Sequence, residues 1–219
     1  MSEIVLMADP KVAALPVLEC GEPLVDVRDS SLLVDTRKQD PDHAYAHLRQ
    51  GVLERLLTAQ TLLPDGLRLL FVEGYRPPSL QRAYFDEYAG QLRTAHPTWS
   101  DDRLHTATSR YVSPPAIAPH SAGAAVDLTL ADPSGRELDL GTRINADPEE
   151  SDGACYTHAP HITPQARTHR HLLSTALTTA GLVNYPTEWW HWSYGDRYWA
   201  LTTDAPSALY GPTELTRGG

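Results

Sequence analysis

His120-Ser121-Ala122-Gly123-Ala124-Ala125-Val126-Asp127-Leu128-Thr129-Leu130 is the stretch on which the fold of this chain turns. From Ala124 onward the residues alternate with a period of two, the pattern of a strand. Ahead of the strand stand a histidine, directly after Pro119, and a run of small residues. An odd gap separates His120 from Asp127, so in one straight strand they would face opposite sides. They can meet only if His120 lies in a loop and Gly123 permits a sharp bend before the strand begins. The small residues between them let the backbone run close to an ion or ligand.

Working outward, Asp132-Pro133-Ser134-Gly135 reads as a turn, with Glu137 to Leu140 returning as a hairpin partner. Residues 141–164 form a long irregular loop, a candidate lid. Thr163-Pro164 opens a helix that runs to Ala180 and is stopped by Gly181. Trp189 to Tyr194 and Tyr198 to Leu201 have strand composition. Upstream, Ser31 to Val34 is a short strand. Asp40-Pro41-Asp42 opens a helix whose apolar face is Ala46, Leu48, Val52, Leu53, Leu56 and Leu57. Leu67 to Glu73 is a buried strand ended by Gly74. Pro77-Pro78-Ser79 opens a helix to about Thr94, and Ser100-Asp101-Asp102 caps another that ends near Tyr111. Three prolines between Ser113 and Pro119 exclude a regular central element there. Helices come first and a mostly antiparallel sheet late, which points to an α+β domain flanked by helices rather than to alternating βαβ units.

The 219 residues suit one domain, 1–219, with the first ~25 residues peripheral. Charged residues make up 21% and hydrophobic ones 41%, ordinary values for a globular protein. The formal net charge of -10 argues against nucleic acid as a partner, since phosphate binding needs Lys/Arg patches. Cys20 and Cys155 are too few for a disulfide framework and form no CxxC pair, so they read as free thiols of a reducing compartment. No apolar run approaches the ~20 residues needed to span a membrane. Ile4 to Leu18 is interrupted by Asp9, Pro10 and Lys11 and does not read as a signal peptide. The expected setting is the cytoplasm.

The second half of a site is Glu188-Trp189-Trp190-His191. Its aromatic run looks like a strand, with Glu188 at the entrance, where Pro186-Thr187 permits a bend. The tryptophans read as core and as dry walls. Two imidazoles, one carboxylate ligand and one spare carboxylate are what a hydrolytic zinc centre needs. Zinc favours imidazole and tolerates one carboxylate, so His120, Asp127 and His191 are the expected ligands of one Zn2+ per chain. Glu188 is left to take a proton from water and hand it to a leaving amine. Arg76, directly after the strand that ends at Glu73, can aim a fixed guanidinium at a developing oxyanion. The remaining histidines have no spacing that defines a second metal site. His169 and His171 lie two apart in an expected helix and do not share a face.

These residues carry a family likeness. The chain resembles the D-alanyl-D-alanine dipeptidases of the vancomycin-resistance type, zinc D,D-peptidases with a hedgehog-like α+β fold. The matching pieces are Gly74-Tyr75-Arg76-Pro77, the His120 to Leu130 stretch, Gly141-Thr142 and Glu188-Trp189-Trp190-His191, in the family's order over residues ~70 to 195. The resemblance implies zinc on His120, Asp127 and His191, Glu188 as general base and Arg76 as transition-state stabiliser. Two departures stand out. The family pattern has a serine two residues before the first metal histidine, where this chain has Ala118. It also has Phe-Asp shortly after the Gly-Thr/Ser step, with the Asp helping to hold the substrate's ammonium; here the residues are Ile144-Asn145. Asn supplies no full negative charge. Asp147, Glu149, Glu150 and Asp152 stand nearby as replacements or as a solvated loop.

The leading expectation is a zinc dipeptidase acting on small D-containing or otherwise unusual dipeptides. Its rivals are a peptidoglycan D,D- or L,D-carboxypeptidase of the same fold, a zinc-binding hedgehog-like domain without catalysis, and a structural domain without metal. Oligomeric state is not legible.

Overall fold

The computed structural model describes residues 4–215. The first three and last four residues of the expected single domain lie outside them. In chain order the elements are α1 (Pro10–Ala13), β1 (Leu24–Asp26), β2 (Leu33–Val34), β3 (His47–Arg49), α2 (Gln50–Leu62), β4 (Arg68–Glu73), α3 (Pro78–Ala95), α4 (Asp101–Thr108), β5 (Ala125–Ala131), α5 (Pro164–Thr179), β6 (Val183–Asn184), β7 (His191–Ser193) and α6 (Arg197–Thr202). The main sheet has the order β2-β4-β5-β7-β6. Only the β2–β4 pair is parallel. β1 and β3 form a separate antiparallel pair.

This is the expected α+β architecture, but the sheet is not confined to the late chain. Its strands come from residues 33 to 193, and β4 lies between α2 and α3. β5 is buried along its whole length. Val126, Leu128 and Leu130 share one core with Leu48, with Val52 and Leu56 of α2, and with Leu173 and Leu177 of α5, and α2 and α5 pack against each other. Trp189, Trp190 and Trp192 are also fully buried in this core. At about 25 cal/mol per Å² of apolar surface, such aromatic and leucine burial is the main favourable contribution to folding.

Four expectations give way. The helix expected from Asp40 begins only at Gln50. The Asp40 carboxylate does act as a cap, but for a turn: it accepts the N–H groups of Asp42, Ala44 and Tyr45. His43 then takes a left-handed conformation, φ 51°. The following carbonyls of Tyr45 and His47 accept the N–H groups of Gly74 and Tyr75, both at 2.7 Å. These long-range bonds and the pairing with β1 override helix periodicity. Next, Tyr198 to Leu201 is helix, not strand, because the Asp196 carboxylate accepts the N–H groups of Tyr198 and Trp199 and starts α6. The hairpin partner at Glu137 to Leu140 is reduced to one bridge opposite Ala131 and the Leu138 N–H bond to Leu130. Finally, the N-terminal segment is not peripheral. Met7 and Val12 are buried against Tyr185 and Tyr198, and the Met7 N–H donates to the Tyr185 hydroxyl at 3.1 Å.

Residues 141–163 are turns without regular structure, and Pro164 already belongs to α5. Arg170 of α5 ties this loop down, donating to the carbonyls of Leu140, Tyr156 and Ala154 at 2.7 to 2.8 Å. Thr142 accepts the indole N–H of Trp189 at 2.7 Å. Cys20 is exposed and Cys155 buried, and both are free thiols. Among the described residues, no helix is long and apolar enough to cross a membrane.

Gly74 sits where β4 meets the carbonyl of His47. A Cβ there would lie 2.4 Å from that backbone oxygen and 2.8 Å from Leu48 Cδ2. Gly74→Ala must push these strands apart, and overpacking of this kind costs about 1–3 kcal/mol. Urea unfolding should show a loss of that size, whereas Gly90→Ala, with nothing near the added atom, should lose none of it. Equal stability of Gly74→Ala and the parent would contradict the close approach.

Candidate active site

His120 is presented by a 3-10 turn, Pro119–Ala122. The turn closes at Gly123, whose φ of 66° is left-handed, and an added Cβ would come 2.3 Å from Leu24 Cδ2. The bend required by the odd His120–Asp127 gap is therefore real, and only glycine fits it. The Nδ1–H of His120 donates to the Gly74 carbonyl at 2.6 Å. That bond leaves Nε2 as the free lone pair.

Asp127 lies on β5, directly opposite His191 of β7 on one side. On the other it faces Glu73 of β4, next to an irregularity between Phe71 and Glu73. Asp127 Oδ1 lies 3.4 Å from His120 Nε2 and 3.0 Å from His191 Nδ1. The two imidazole rings meet edge to face, 4.9 Å apart. One ligand atom from each of these three residues lies within 4.8 Å of the others, and the group is buried. Among the described residues this is the one cluster of its kind. Burial opposes ionisation of Asp127, but the imidazoles of His120 and His191 hold its carboxyl well below the usual range. Burial likewise works against charge on His191, and the bond to Asp127 outweighs it and raises the imidazole.

Glu188 lies in the turn that leads into β7, its N–H donating to Tyr185. Its carboxylate is 3.9 Å from His191 Nδ1. Poor solvation by the cavity walls pushes it up to about 7, opposed by His191, reinforced by Asp127 and again opposed by Arg76. The side chain still presents 34% of its surface at the mouth. A carboxyl poised near neutrality, next to a candidate metal cluster, suits proton transfer.

Arg76 faces the cluster from the end of β4. Its N–H donates to the His120 carbonyl at 3.1 Å. Its Nε donates to Glu73 Oε1 and its Nη1 to Gln81 Oε1, each at 2.8 Å. Lys38 Nζ lies 2.7 Å from the other Glu73 oxygen. Burial would raise Glu73, but Arg76, His120 and Lys38 together hold it at about 2. The guanidinium is thus clamped on two sides.

Arg76, His120, Asp127, Glu188 and His191 all line one cavity of about 390 Å³. Every site residue named from sequence is brought together. Sequence reasoning missed Lys38, Gln81, Tyr84, Arg110 and Tyr185, which line the same cavity. Glu73, three residues before Arg76 at a strand end, carried a readable signal. Lys38 and Arg110 reach the cavity from separate loops and carried none.

Comparison with known proteins gives a consistent picture. The family profile Peptidase M15, described as D-ala-D-ala dipeptidase, matches residues 36–206. A D-alanyl-D-alanine dipeptidase of Synechocystis sp. is 30% identical, covering 85% of this chain and 87% of that protein. A D-alanyl-D-alanine dipeptidase of Escherichia coli K12 is 31% identical, over 58% of this chain and 55% of its own length. Among solved structures, the LdcB LD-carboxypeptidase superimposes with a TM-score of 0.51 at 17% identity, covering 95% of this chain and 89% of that one, a likeness of fold.

The Glu73 clamp has a pH signature. Its folded value lies below the ordinary 4.5. Its contribution is therefore complete above that value and is lost as pH falls towards about 2. In urea unfolding, Glu73→Gln should be less stable than the parent by about 3 kcal/mol at pH 7. The gap should narrow between about pH 5 and pH 2. A gap that stays constant over that range would contradict the ion-pair clamp.

Proposed function

Because the chain belongs to the Peptidase M15 family of D-ala-D-ala dipeptidases, we propose that it is a zinc metallopeptidase hydrolysing D-Ala-D-Ala or a related D-containing dipeptide. The observation that carries this reading is the convergence of His120, Asp127, His191, Glu188 and Arg76 on one cavity. The donor set fits zinc: two imidazoles and one carboxylate, with His120 Nδ1 already committed to a backbone carbonyl so that Nε2 is available. His120, Asp127 and His191 would hold one zinc ion per chain. Zinc bound there would lower the pKa of water and polarise the scissile carbonyl.

The remaining work belongs to the chain's own side chains. Glu188 accepts a proton from the attacking water and delivers it to the departing amine, a task for which a carboxyl near neutrality is matched to cellular pH. Arg76, held by Glu73 and Gln81, offers a fixed guanidinium to the oxygen that gains charge. A donor already oriented in the resting enzyme needs no reorganisation during reaction. The buried tryptophans exclude solvent behind the site, which strengthens these interactions. Glu188 and Arg76 are both superfluous in a structural zinc site, which argues against a non-catalytic role.

Where the resemblance has serine, Ala118 lines the cavity and offers no hydroxyl. Lys38, Arg76 and Arg110 are the cations that line the cavity where a substrate carboxylate would sit. The free thiols agree with a cytoplasmic setting, the location we favour.

Purified protein should carry about one zinc per chain and cleave D-Ala-D-Ala. Glu188→Ala should retain the metal by elemental analysis while kcat drops by roughly 10²–10⁴. Zinc-loaded parent protein that cleaves nothing in a panel of D,D-, L,D- and L,L-dipeptides would overturn the enzymatic reading.

A further inference from the structure

The three candidate metal ligands are not held alike. Asp127 and His191 sit opposite each other on paired strands, so the ladder between β5 and β7 fixes both. His120 stands outside any strand, on the 3-10 turn Pro119–Ala122. So short a turn closes few bonds of its own, and a working site tolerates misplacement of only about 0.5 Å. The position of His120 must therefore come from what packs against the turn.

Four successive carbonyls show what does. That of His120 accepts the Arg76 N–H at 3.1 Å, that of Ser121 the Thr213 N–H at 3.0 Å, and that of Gly123 the Arg49 N–H at 2.9 Å. The Ala122 carbonyl accepts the Arg49 Nε–H at 2.8 Å. Arg49 thus grips the turn with its main chain and its side chain, at the left-handed Gly123 that makes the bend. The residue is 4% exposed. Its other nitrogens donate to the carbonyls of Glu22 and Gly211, at 2.5 and 3.2 Å, and to Glu19 Oε2 at 3.1 Å. The same Glu19 oxygen accepts the Gly211 N–H at 2.8 Å. The Thr213 carbonyl accepts the Tyr75 hydroxyl, also at 2.8 Å. Joining the two ends of the chain does not require Arg49, since the Leu18 and Cys20 N–H groups already donate to the carbonyls of Ala208 and Leu209 at 2.9 and 3.0 Å. What Arg49 adds is the link from both ends to the turn that carries His120.

We propose that Arg49 and residues 211–213 brace the metal-binding turn, acting through the carbonyls of Ser121, Ala122 and Gly123 to hold His120 where an ion on Asp127 and His191 meets its Nε2. This rests on the zinc reading. Neither part of the brace touches the ion, so Arg49 and Thr213 are positioning residues. The coupling is reciprocal: whatever the brace lends to zinc affinity, zinc returns to the docking of residues 211–213.

The test reads zinc affinity by chelator competition, with urea unfolding of the metal-free protein as the control for plain structural damage. Thr213→Pro deletes one N–H and should weaken zinc binding about tenfold. Thr213→Ala keeps that N–H and should bind zinc as the parent does. Arg49→Lys keeps the charge but replaces a fork that spans several acceptors with a single point. It should weaken zinc binding by roughly 10- to 100-fold. In the unsubstituted protein, zinc should slow amide exchange at Thr213 about tenfold. That measurement needs no variant and decides the matter if a substitution impairs folding. Variants that lose stability without metal yet keep the parent's zinc affinity would reduce the brace to a structural tie and overturn the proposal. So would exchange at Thr213 that zinc leaves unchanged. A parent protein that takes up no zinc overturns the metal reading itself.

Discussion

The structure depends on one constraint: a carboxylate buried in the middle of a sheet. Asp127 is 3% exposed, on a strand with neighbours on both sides. An isolated ionised carboxylate in such a place costs several kcal/mol at least. It is tolerated because His120 and His191 approach the same oxygen. The elements around it supply that approach. Strand pairing sets His191 opposite Asp127. The 3-10 turn and the left-handed Gly123 bring His120 back over the strand, and the carbonyl of Gly74 fixes its ring. Three imidazole and carboxylate donors gathered this tightly are a set that could hold a metal ion, with the Gly74 carbonyl orienting one of them from behind.

The opposite wall follows similar logic. Glu73, the neighbour of Asp127 on β4, is a second buried carboxylate, answered by Arg76 and Lys38. Two acids therefore lie side by side at the end of the sheet, each neutralised by a different partner set. Glu73 and Gln81 fix the guanidinium of Arg76 before any substrate arrives. A preorganised cation is worth more to a reaction than a mobile one, because the orientation is settled during folding. Site chemistry and fold stability are thus drawn from one network.

Much of this was readable in the chain, and the limits are physical. The odd His120–Asp127 gap demanded a bend, and Gly123 in a run of small residues was the visible means of making it. Glu188 and His191 could be paired because only three positions separate them and Pro186 offers a turn. β4 and α5 announced themselves by an apolar run and by a Pro-to-Gly span. The helix start at Asp40 misled because bonds to Gly74 and Tyr75 compete with helix there, and such partners have no local trace. Tyr198 to Leu201 misled because aromatic composition suits a strand, whereas a single capping Asp196 decided for helix. Lys38, Arg110 and Met7 reach the cavity from three distant segments, and nothing in their neighbourhoods points to it.

The central claim is that His120, Asp127 and His191 hold one metal ion. The most direct measurement is anomalous diffraction at the zinc edge from crystals of the zinc-loaded protein. A single strong peak should appear within about 2.0–2.2 Å of His120 Nε2, Asp127 Oδ1 and His191 Nδ1. A zinc peak elsewhere, at Cys20 or Cys155 for example, with these three donors left bare, would contradict the account.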